Sequence, residues 1–384
     1  MSDGDQPRDG VEADRDEVRV SSIELFFDLV FVFTITQLTT VLAHHPNGES
    51  LGQIFLMLSS IWWMYGAFAW LTNAVPPNRT ALRLPLLAGM AAFFVISLTI
   101  PTAFSGDGVV FAGAYLAVIV VHTVLYTQSA SWSVAGVWSF ARMNFVAGAL
   151  ILAATIIGGD WEYVLWGLAV SIFAIIPALV PEDAGWIRIS HFVERHGLVV
   201  MVALGESVVA VGIGASGLKI SGEMLAVAIL GLMVSAELWW VYFGGDDEEA
   251  ELALSRMKPT RAEFFATNAA YYWAHLLLLL GIVCDAAALE RAIGHPFDSL
   301  DFARALALSG GTALYLIGHA LFRRFLGLPF KPWRALAAAL ALATIPLGTG
   351  LSALAQLGAL VALLGLCLAA EERTLPAEVE TAQA

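Results

Sequence analysis

Charged residues are scarce in this chain. They make up 14% of its 384 residues, against 59% hydrophobic residues, and the mean hydropathy is +0.76. A water-soluble domain carries roughly a quarter of its residues as charged side chains, and no stretch between Ile23 and Ala370 reaches that density. The scarcity excludes a soluble globular protein and predicts an all-α integral membrane protein whose main solvent is lipid.

Several chemical signatures are missing as well. The chain has two cysteines, Cys284 and Cys367, and both lie in apolar runs, where they are typical of small hydrophobic residues rather than of disulfides or metal ligands. No Walker A, dinucleotide-binding GxGxxG, HExxH or GxSxG motif stands in a suitable context, which argues against nucleotide-driven pumping and the commoner hydrolase reactions. We therefore expect no cofactor, no metal and no enzymatic activity.

The charge that is present lies in a few segments. The net charge is −14, with acidic residues concentrated in the first twenty residues, in Asp246 to Glu251 and in the last fourteen, as is typical of solvated tails and loops. No basic stripe could neutralise phosphates, so we expect no nucleic-acid partner. The expected partners are the lipid bilayer, a proton or a monovalent cation, and a small solute, while the oligomeric state is left open.

Long apolar runs predict the number of membrane spans. A bilayer core of about 30 Å needs roughly 20 apolar residues per helix, and runs of that length predict about twelve spans. They are approximately residues 23–43, 51–74, 84–104, 108–128, 139–157, 161–180, 196–215, 222–243, 264–287, 302–322, 333–349 and 350–369. Near the end, Pro346, Gly348 and Gly350 indicate either a turn between two short spans or a kink in one re-entrant element.

Lysine and arginine positions predict the orientation, because cytoplasmic loops accumulate them. With the N-terminus inside, only Lys219, Arg291 and Arg304 fall outside, against sixteen of the 19 basic residues inside. Both termini are therefore expected in the cytoplasm and the protein in the plasma membrane. The expected segments are an acidic tail at 1–20, membrane halves at 21–181 and 190–372, and a second tail at 373–384.

An internal repeat supports the division into halves. The tetrapeptide WWxY occurs at residues 62–65 and again at 239–242, six predicted spans later. An ungapped overlay of the first span on the seventh aligns Glu24 with Glu194, Thr36 with Glu206 and Gln37 with Ser207. Six is even, so the pattern predicts two parallel six-helix repeats around an axis along the membrane normal, with a site between them; shared ancestry with a merely packed interface is the alternative.

Ionisable residues within predicted spans are read as functional candidates. Glu24 follows Ser21 by three residues, which fits either a capping box or a functional carboxyl. Asp28 lies one turn deeper, too deep for a cap, and a functional role is favoured. Glu206, about ten residues into its predicted span, is expected near the bilayer midplane, buried between helices. For Glu237 we expect an interior partner such as Arg195 or a histidine.

The histidines are the remaining candidates for proton transfer. His122, His275 and His319 occur in predicted spans, where each is either an interhelical hydrogen bonder or a proton partner for Glu206. The complete set of transport or proton-relay candidates is Glu206, Asp28, Glu24, Gln37, Glu194, Arg195, Ser207, Glu237, His275 and His319.

Two motifs give the chain a family resemblance. The run SIELFFDLVFVF at residues 22–33, followed by ERHGL at 194–198 and LGESV at 204–208, resembles the bacterial low-temperature-requirement A family over nearly the whole length. The resemblance implies a multi-pass membrane protein of a family named for growth in the cold; His196 stands where an aromatic residue is common. Phe26-Phe27-Asp28 is also similar to the Phe-Ser-Asp motif of a group of potassium channels built from six-helix repeats, although Leu198 stands opposite Asp28.

Three functions follow as hypotheses. The first is an ion-gradient-coupled secondary transporter, which predicts a closed central site containing Glu206. The second is a cation channel lined by the first helix, which predicts a continuous path along the axis between the halves. The third is a non-transporting membrane protein, either a scaffold or a lipid enzyme; an enzyme predicts a polar cluster at one face, for which Asp28, His191, Glu194 and Arg195 are candidates.

Overall fold

The computed structural model describes residues 20–75, 77, 79–128, 134–179, 188–258 and 260–374. These residues form helices and connecting turns, with no β-strand among them, so the predicted all-helical fold class is confirmed. The predicted linker around Pro181 and most of the two predicted tails lie outside the described residues.

The predicted first half contains six helices. They are α1 (Ser22–His44), α2 (Gly48–Ala74), α3 (Thr80–Thr99), α4 (Gly108–Tyr126), α5 (Val134–Ile157) and α6 (Asp160–Leu179). Their ends follow local chemistry. At the start of α2, for example, the Asn47 side chain accepts a hydrogen bond from the amide of Ser50, which satisfies one of the free N–H groups of the first turn.

The predicted second half is divided more finely. Its helices are α7 (Ile189–Gly214), α8 (Gly222–Phe243), α9 (Asp246–Arg256), α10 (Arg261–Asn268), α11 (His275–Ala292), α12 (Phe302–Phe325), α13 (Pro332–Leu342), α14 (Ile345–Gly350) and α15 (Ala353–Thr374). A π-helical turn, Ala269–Ala274, joins α10 to α11. Gly245 separates α8 from α9 with a φ of 103°, a conformation that other residues rarely adopt.

Ten helical segments in the described part of the chain are long and apolar enough to cross a membrane. They are α1, α2, α3, α4, α5, α7, α8 with α9, α10 with α11, α12 and α15. The chain is therefore a multi-pass membrane protein, and the prediction of about twelve spans is not confirmed. The sixth predicted span, 161–180, corresponds to α6 except for residue 180, which lies outside the described residues.

The eleventh predicted span, 333–349, is broken into two short helices. α13 ends at Leu342, and α14 begins at Ile345 with Pro346 in its first turn. Proline is tolerated there because its missing N–H would have no partner in a first turn, whereas inside a helix it would remove a hydrogen bond. Neither piece alone reaches the roughly 20 residues that a span needs.

The ends of the helices define two faces of the bundle. The end of α2 lies next to the start of α7. The backbone amide of Arg188 donates a hydrogen bond to Asn73 Oδ1 at 2.7 Å. We call this end, where α1 also begins, the near face, and the opposite end the far face. α14 ends at the far face, since the Gly348 carbonyl accepts a hydrogen bond from the Leu300 amide just before α12 begins. Together, α13 and α14 thus run from one face to the other.

Two helices form the centre of the bundle. In their most apolar windows, α10 with α11 is 89% buried and α2 is 78% buried, whereas α5, α8 and α15 are each 33% buried. The two copies of WWxY therefore have different surroundings: Trp62 is fully buried on α2, while Trp239 and Trp240 on α8 are 38% and 50% exposed. Trp239 and Trp240 face outward as lipid-facing residues do, and the internal repeat stays a prediction.

Glycines allow α11 and α12 to approach closely, as small residues do in membrane helix pairs. A methyl group at Gly311 would lie 2.5 Å from Asp285 Oδ1 and 2.6 Å from the Gly281 carbonyl oxygen, both too short for a real contact. At the neighbouring Gly310 its nearest contact would be an ordinary 3.6 Å, to Leu306.

We expect Gly311→Ala to destabilise the protein by about 1–3 kcal/mol, because the two helices must separate to make room. Gly310→Ala is the matched control and should be neutral or slightly stabilising, since alanine favours a helix over glycine. Apparent Tm of both variants in the same detergent and at one scan rate measures the difference. Equal Tm values would contradict the close-packing argument.

Candidate functional site

Six polar side chains from α1, α2 and α7 meet at the near face. We call them the Arg195 cluster: Glu24, Asp28, Tyr65, Thr72, His191 and Arg195. Glu24 and Asp28 are four residues apart on α1, as His191 and Arg195 are on α7, so each pair lies on one face of its helix. Every member is at most 5% exposed. The cluster joins the two predicted halves.

Arg195 is the centre of the cluster. Its Nη1 donates to Glu24 Oε1 at 2.9 Å and to Thr72 Oγ1 at 3.1 Å, and its Nη2 donates to Asp28 Oδ1 at 2.9 Å. The Tyr65 hydroxyl donates to the same Asp28 oxygen at 2.6 Å. The planar guanidinium suits this arrangement, because its fixed fork of N–H groups can hold two carboxylates at once.

Glu24 forms a capping box and also pairs with Arg195. Its Oε2 accepts hydrogen bonds from the Ser21 amide at 2.9 Å and the Ser21 hydroxyl at 2.7 Å, so the capping box is confirmed. Its Oε1 pairs with Arg195 and lies 3.2 Å from His191 Nε2. On the other side of that ring, Asn73 Nδ2 donates to His191 Nδ1 at 3.3 Å, which leaves Nε2 to carry the hydrogen toward Glu24.

The charges of the cluster are not fully balanced. One guanidinium faces two carboxyl groups, and Asp28 Oδ2 and Arg195 Nε are buried without hydrogen-bond partners in the part of the chain that the structure describes. One proton on a carboxyl group would neutralise the set. Buried ion pairs of this kind add little net stability, but removing one partner leaves the other charges buried without a counter-charge, which is destabilising.

Glu206 lies at a second contact between the halves. The Thr36 hydroxyl of α1 donates to Glu206 Oε2 of α7 at 2.6 Å. Glu206 is 1% exposed, its Oε1 is buried without a hydrogen-bond partner, and it forms no ion pair among the described residues. Another acid, Glu290 of α11, is close enough to act on it electrostatically. Burial without a cation disfavours the ionised form of a carboxyl.

The position of Glu206 along its helix differs from the predicted one. α7 begins at Ile189 rather than at 196, so Glu206 is 17 residues (206 − 189) into a helix of 26 residues. At 1.5 Å per residue it lies about 7 Å beyond the helix middle, toward the far face. Of the proposed proton partners, none reaches it: the described contacts of His122, His275 and His319 are to other groups.

The remaining predicted candidates are dispersed. Glu194 is exposed on α7 and does not join Arg195; Gln37 is half-buried next to Thr36, and Ser207 is buried next to Glu206. Glu237 is half-buried, its Oε2 has no hydrogen-bond partner, and its Oε1 faces Gly365 of α15. The expected pairing of Glu237 with Arg195 is therefore wrong, because Arg195 is bound to Glu24 and Asp28.

His275 lies at the π-helical turn, a local irregularity that is frequent at functional sites. Its Nδ1 donates to the Ala270 carbonyl at 2.9 Å, so its Nε2 accepts the hydrogen bond from the Tyr242 hydroxyl at 2.9 Å. The ring of His196 lies 5.8 Å from that of His275, and both contact Trp62. Aromatic and imidazole rings thus fill the space between the halves at this depth.

A second ion cluster at the near face was not anticipated. We call it the Asp246 cluster: Asp246, His319, Arg323, Lys331, Arg334 and Glu371. Asp246 Oδ2 lies 2.6 Å from Arg334 Nη1 and 3.0 Å from His319 Nε2, while its Oδ1 lies 2.8 Å from Arg323 Nη1. The cluster ties the start of α9 to α12, α13 and α15.

The sequence alone indicated only part of the Asp246 cluster. Asp246 opens an acidic run that was interpreted as a solvated loop, yet it is 1% exposed. A buried acid inside a charged run is recognisable only through its partners, which are 73 to 88 residues away (319 − 246 and 334 − 246). His319 was the one member predicted.

Asp285 is a further buried acid that sequence reasoning missed. It is 1% exposed on α11, and the Thr312 hydroxyl of α12 donates to it at 3.3 Å. Its position two residues from the predicted end of the ninth span, at 287, made it a boundary residue. In the structure α11 continues to Ala292, which places Asp285 within the helix pair.

The arrangement defines the class of chemistry available. Both ion clusters hold helices together at the near face. Glu206 and Asp285 are buried acids and Glu237 is a half-buried one, and none of the three has a basic partner among the described residues. Such acids can bind and release protons or a cation. Within the same residues, no group of three histidine, cysteine or acidic side chains is placed to hold a metal ion.

These features define a polytopic helical membrane protein with ionisable groups between its helices. The family model for bacterial low temperature requirement A protein (LtrA) matches residues 19–369, most of the chain. The chain belongs to this family, as its sequence motifs indicated.

A curated relative is similar over most of its length. The chain is 29% identical over 335 residues to "Uncharacterized protein RA0937" of Rhizobium meliloti (strain 1021). The alignment covers 80% of this chain and 78% of that protein. No solved structure matches.

Proposed function

We propose that this protein is a secondary transporter in which a gradient of protons or a monovalent cation drives the movement of a small solute. The observation that carries the proposal is the contact between Thr36 and Glu206. It joins the two predicted halves, and it leaves one carboxyl oxygen of Glu206 buried and free of partners. A carboxyl in that position can exchange a proton when the halves move apart.

The same contact supports two parallel six-helix repeats and twelve spans. Thr36 and Glu206 are aligned by the ungapped overlay of the first span on the seventh, and equivalent residues can meet only near the axis that relates the repeats. The neighbours also correspond: α1 packs on α3 and α4 on α5, as α7 packs on α11 and α12 on α13. In this proposal α13 and α14 together form the eleventh span.

The near face supports transport better than the alternatives. Asp28, the residue on which the channel hypothesis depends, is held by Arg195 and Tyr65 and is not free to line a cation path. The near-face group suggested for an enzyme is buried, and Glu194 stands apart from it. In a transporter, these pairs hold the halves together when the near face is closed.

Flux into proteoliposomes tests the proposal. The vesicles carry an inward or outward gradient of H⁺ or K⁺, contain a pH-sensitive dye, and receive candidate solutes one at a time. We expect at least one solute to move protons, or to be accumulated, faster than in protein-free vesicles. Equal rates for every solute and gradient would contradict transport and favour a scaffold or lipid enzyme.

The proposed location is the plasma membrane, with the near face in the cytoplasm. Ser299 at the far face and Ser255 at the near face are both exposed, and the native Cys284 and Cys367 are buried. In intact cells, Ser299→Cys should therefore react with an impermeant thiol reagent, whereas Ser255→Cys should react only after lysis. The reverse pattern would overturn the orientation.

A further inference from the structure

A cavity of about 60 Å³ lies between the predicted halves, on the near-face side of the bundle. One water molecule needs roughly 10–15 Å³ of such space, so the cavity has room for several water molecules or for a small organic molecule in their place. Its walls come from α2, α4, α5 and α6 on one side, and from α7, α10 and the π-helical turn on the other. It is separate from Glu206, which lies ten residues (206 − 196) beyond His196, about 15 Å along α7.

Aromatic rings dominate the walls. The aromatic residues that line the cavity include Trp63, Trp70, Phe140, Phe264, Tyr271 and Tyr272. Flat rings on both sides favour a ligand that is itself flat and apolar over most of its surface, because aromatic pairs gain from stacked or edge-to-face contact.

The walls carry few polar groups, and these groups are uncharged hydrogen-bond donors or acceptors. His196 Nδ1 donates to the Phe192 carbonyl at 2.8 Å, so its Nε2 is an acceptor; His122 Nε2 likewise faces the Ala67 carbonyl at 3.2 Å, which leaves its Nδ1 as an acceptor. Neither histidine pairs with a carboxylate among the described residues. Among the described residues that line the cavity there is no acid that could balance a cation.

Tyr271 supplies the observation that points to a ligand. Its ring lines the cavity, it is 3% exposed, and its hydroxyl has no hydrogen-bond partner within the described structure. A buried hydroxyl without a partner is costly, and a bound group that accepts its hydrogen would remove that cost. A ligand hydroxyl could also donate to a histidine nitrogen.

We propose that this cavity is a binding site for a small neutral ring compound that carries a hydroxyl group, as phenols do. That such a compound is also the transported solute rests on the proposed function; that it binds does not. A quaternary ammonium ion is the main competitor, since aromatic walls also attract cations.

Three single-ring or compact probes separate these chemistries. They are 4-fluorophenol, 4-fluorotoluene, in which a methyl replaces the hydroxyl, and tetramethylammonium. Binding to the purified full-length protein in one detergent is followed by ¹⁹F line broadening, with tetramethylammonium as a competitor. We expect 4-fluorophenol to bind more tightly than 4-fluorotoluene and tetramethylammonium not to displace it.

Two variants locate the site. Tyr271→Phe removes one hydroxyl and should weaken 4-fluorophenol about three- to tenfold, as loss of a neutral hydrogen bond does, while 4-fluorotoluene binds as before. A side chain at Gly66 has no atom within 4 Å of its Cβ, so Gly66→Leu should fill the cavity without a clash and abolish binding of both fluorinated probes. Size exclusion and Tm confirm that each variant is folded.

Each outcome decides the proposal. Binding that is unchanged in both folded variants means that the probe sits only in detergent, which overturns the site; displacement by tetramethylammonium replaces it with a cation site. If Gly66→Leu is unfolded, the response of Tyr271→Phe decides alone. Glu206→Gln should still bind 4-fluorophenol, so failure of transport and failure of this site are told apart.

Discussion

Replacing Arg195 with alanine should destabilise the folded protein by about 3–5 kcal/mol, the cost of leaving buried charges without their partner. Glu24 and Asp28 would then face each other near the start of α1, and the Thr72 and Tyr65 hydroxyls could not replace a guanidinium. Apparent Tm in detergent, at one scan rate, should fall by roughly 5–10 °C.

Two comparisons isolate the cause. The exposed Arg256 provides a matched control, and Arg256→Ala should shift stability by no more than about 0.5 kcal/mol. Combining Arg195→Met with Glu24→Gln and Asp28→Asn removes all the charges, and glutamine at residue 24 can still serve the capping box. That triple variant should recover most of the lost stability. A single variant as stable as Arg256→Ala would show that the cluster does not hold the halves together.

Local sequence signals predicted a large part of the fold. Apolar runs of about 20 residues located the helices that cross the bilayer, because lipid leaves a backbone few alternatives to a helix. The capping box at Ser21 and Glu24 likewise needs only residues three apart. The break before Pro346 was marked by a single residue whose ring cannot continue a helix.

The helix boundaries were less predictable than the helices themselves, and the observed start of α7 changes where the site residues lie along that helix. The predicted span began at residue 196, yet α7 begins at Ile189, because α1 supplies carboxylate partners for Arg195 and a contact for His191. The predicted depth of Glu206 changed for the same reason. A hydropathy scale cannot detect such an extension, because it gives Arg195 the value of a solvated side chain whether or not buried carboxylates pair with it.

The buried partners themselves needed the tertiary structure. Asp246 is part of an acidic run and Asp285 ends an apolar one, and in both cases burial follows from residues on distant helices. The outward position of Trp239 is a comparable case. Its tetrapeptide matches that around Trp62, but α8 lies at the edge of the bundle and α2 at its centre.

In the proposed transport cycle the near face is closed in this structure. The Arg195 cluster joins α1 and α2 to α7, and the Asp246 cluster joins the start of α9 to α12, α13 and α15. Opening at this face would require the first cluster to separate, whereas the second lies within one predicted half and can move as a unit. Glu206 is the acid at the interface itself.

Glu206→Gln should abolish gradient-driven flux in proteoliposomes while leaving the protein folded. Glutamine keeps the shape of a protonated glutamate, and its amide oxygen can still accept the hydrogen bond from Thr36, so packing at the interface is preserved. The amide cannot take up or release a proton at the pH of a flux assay. Uptake should therefore fall to the level of protein-free vesicles, with an apparent Tm close to that of the unchanged protein.

Asp285→Asn is the matched control, because Asp285 is also a buried acid without a basic partner among the described residues but lies between α11 and α12 of one predicted half. Its neutralisation should leave flux largely intact. If both variants transport normally, Glu206 is a packing residue and does not couple the gradient. If both lose flux, a buried acid anywhere in the bundle matters, and the interface has no special role. Loss confined to Glu206→Gln is the result that coupling across the halves requires.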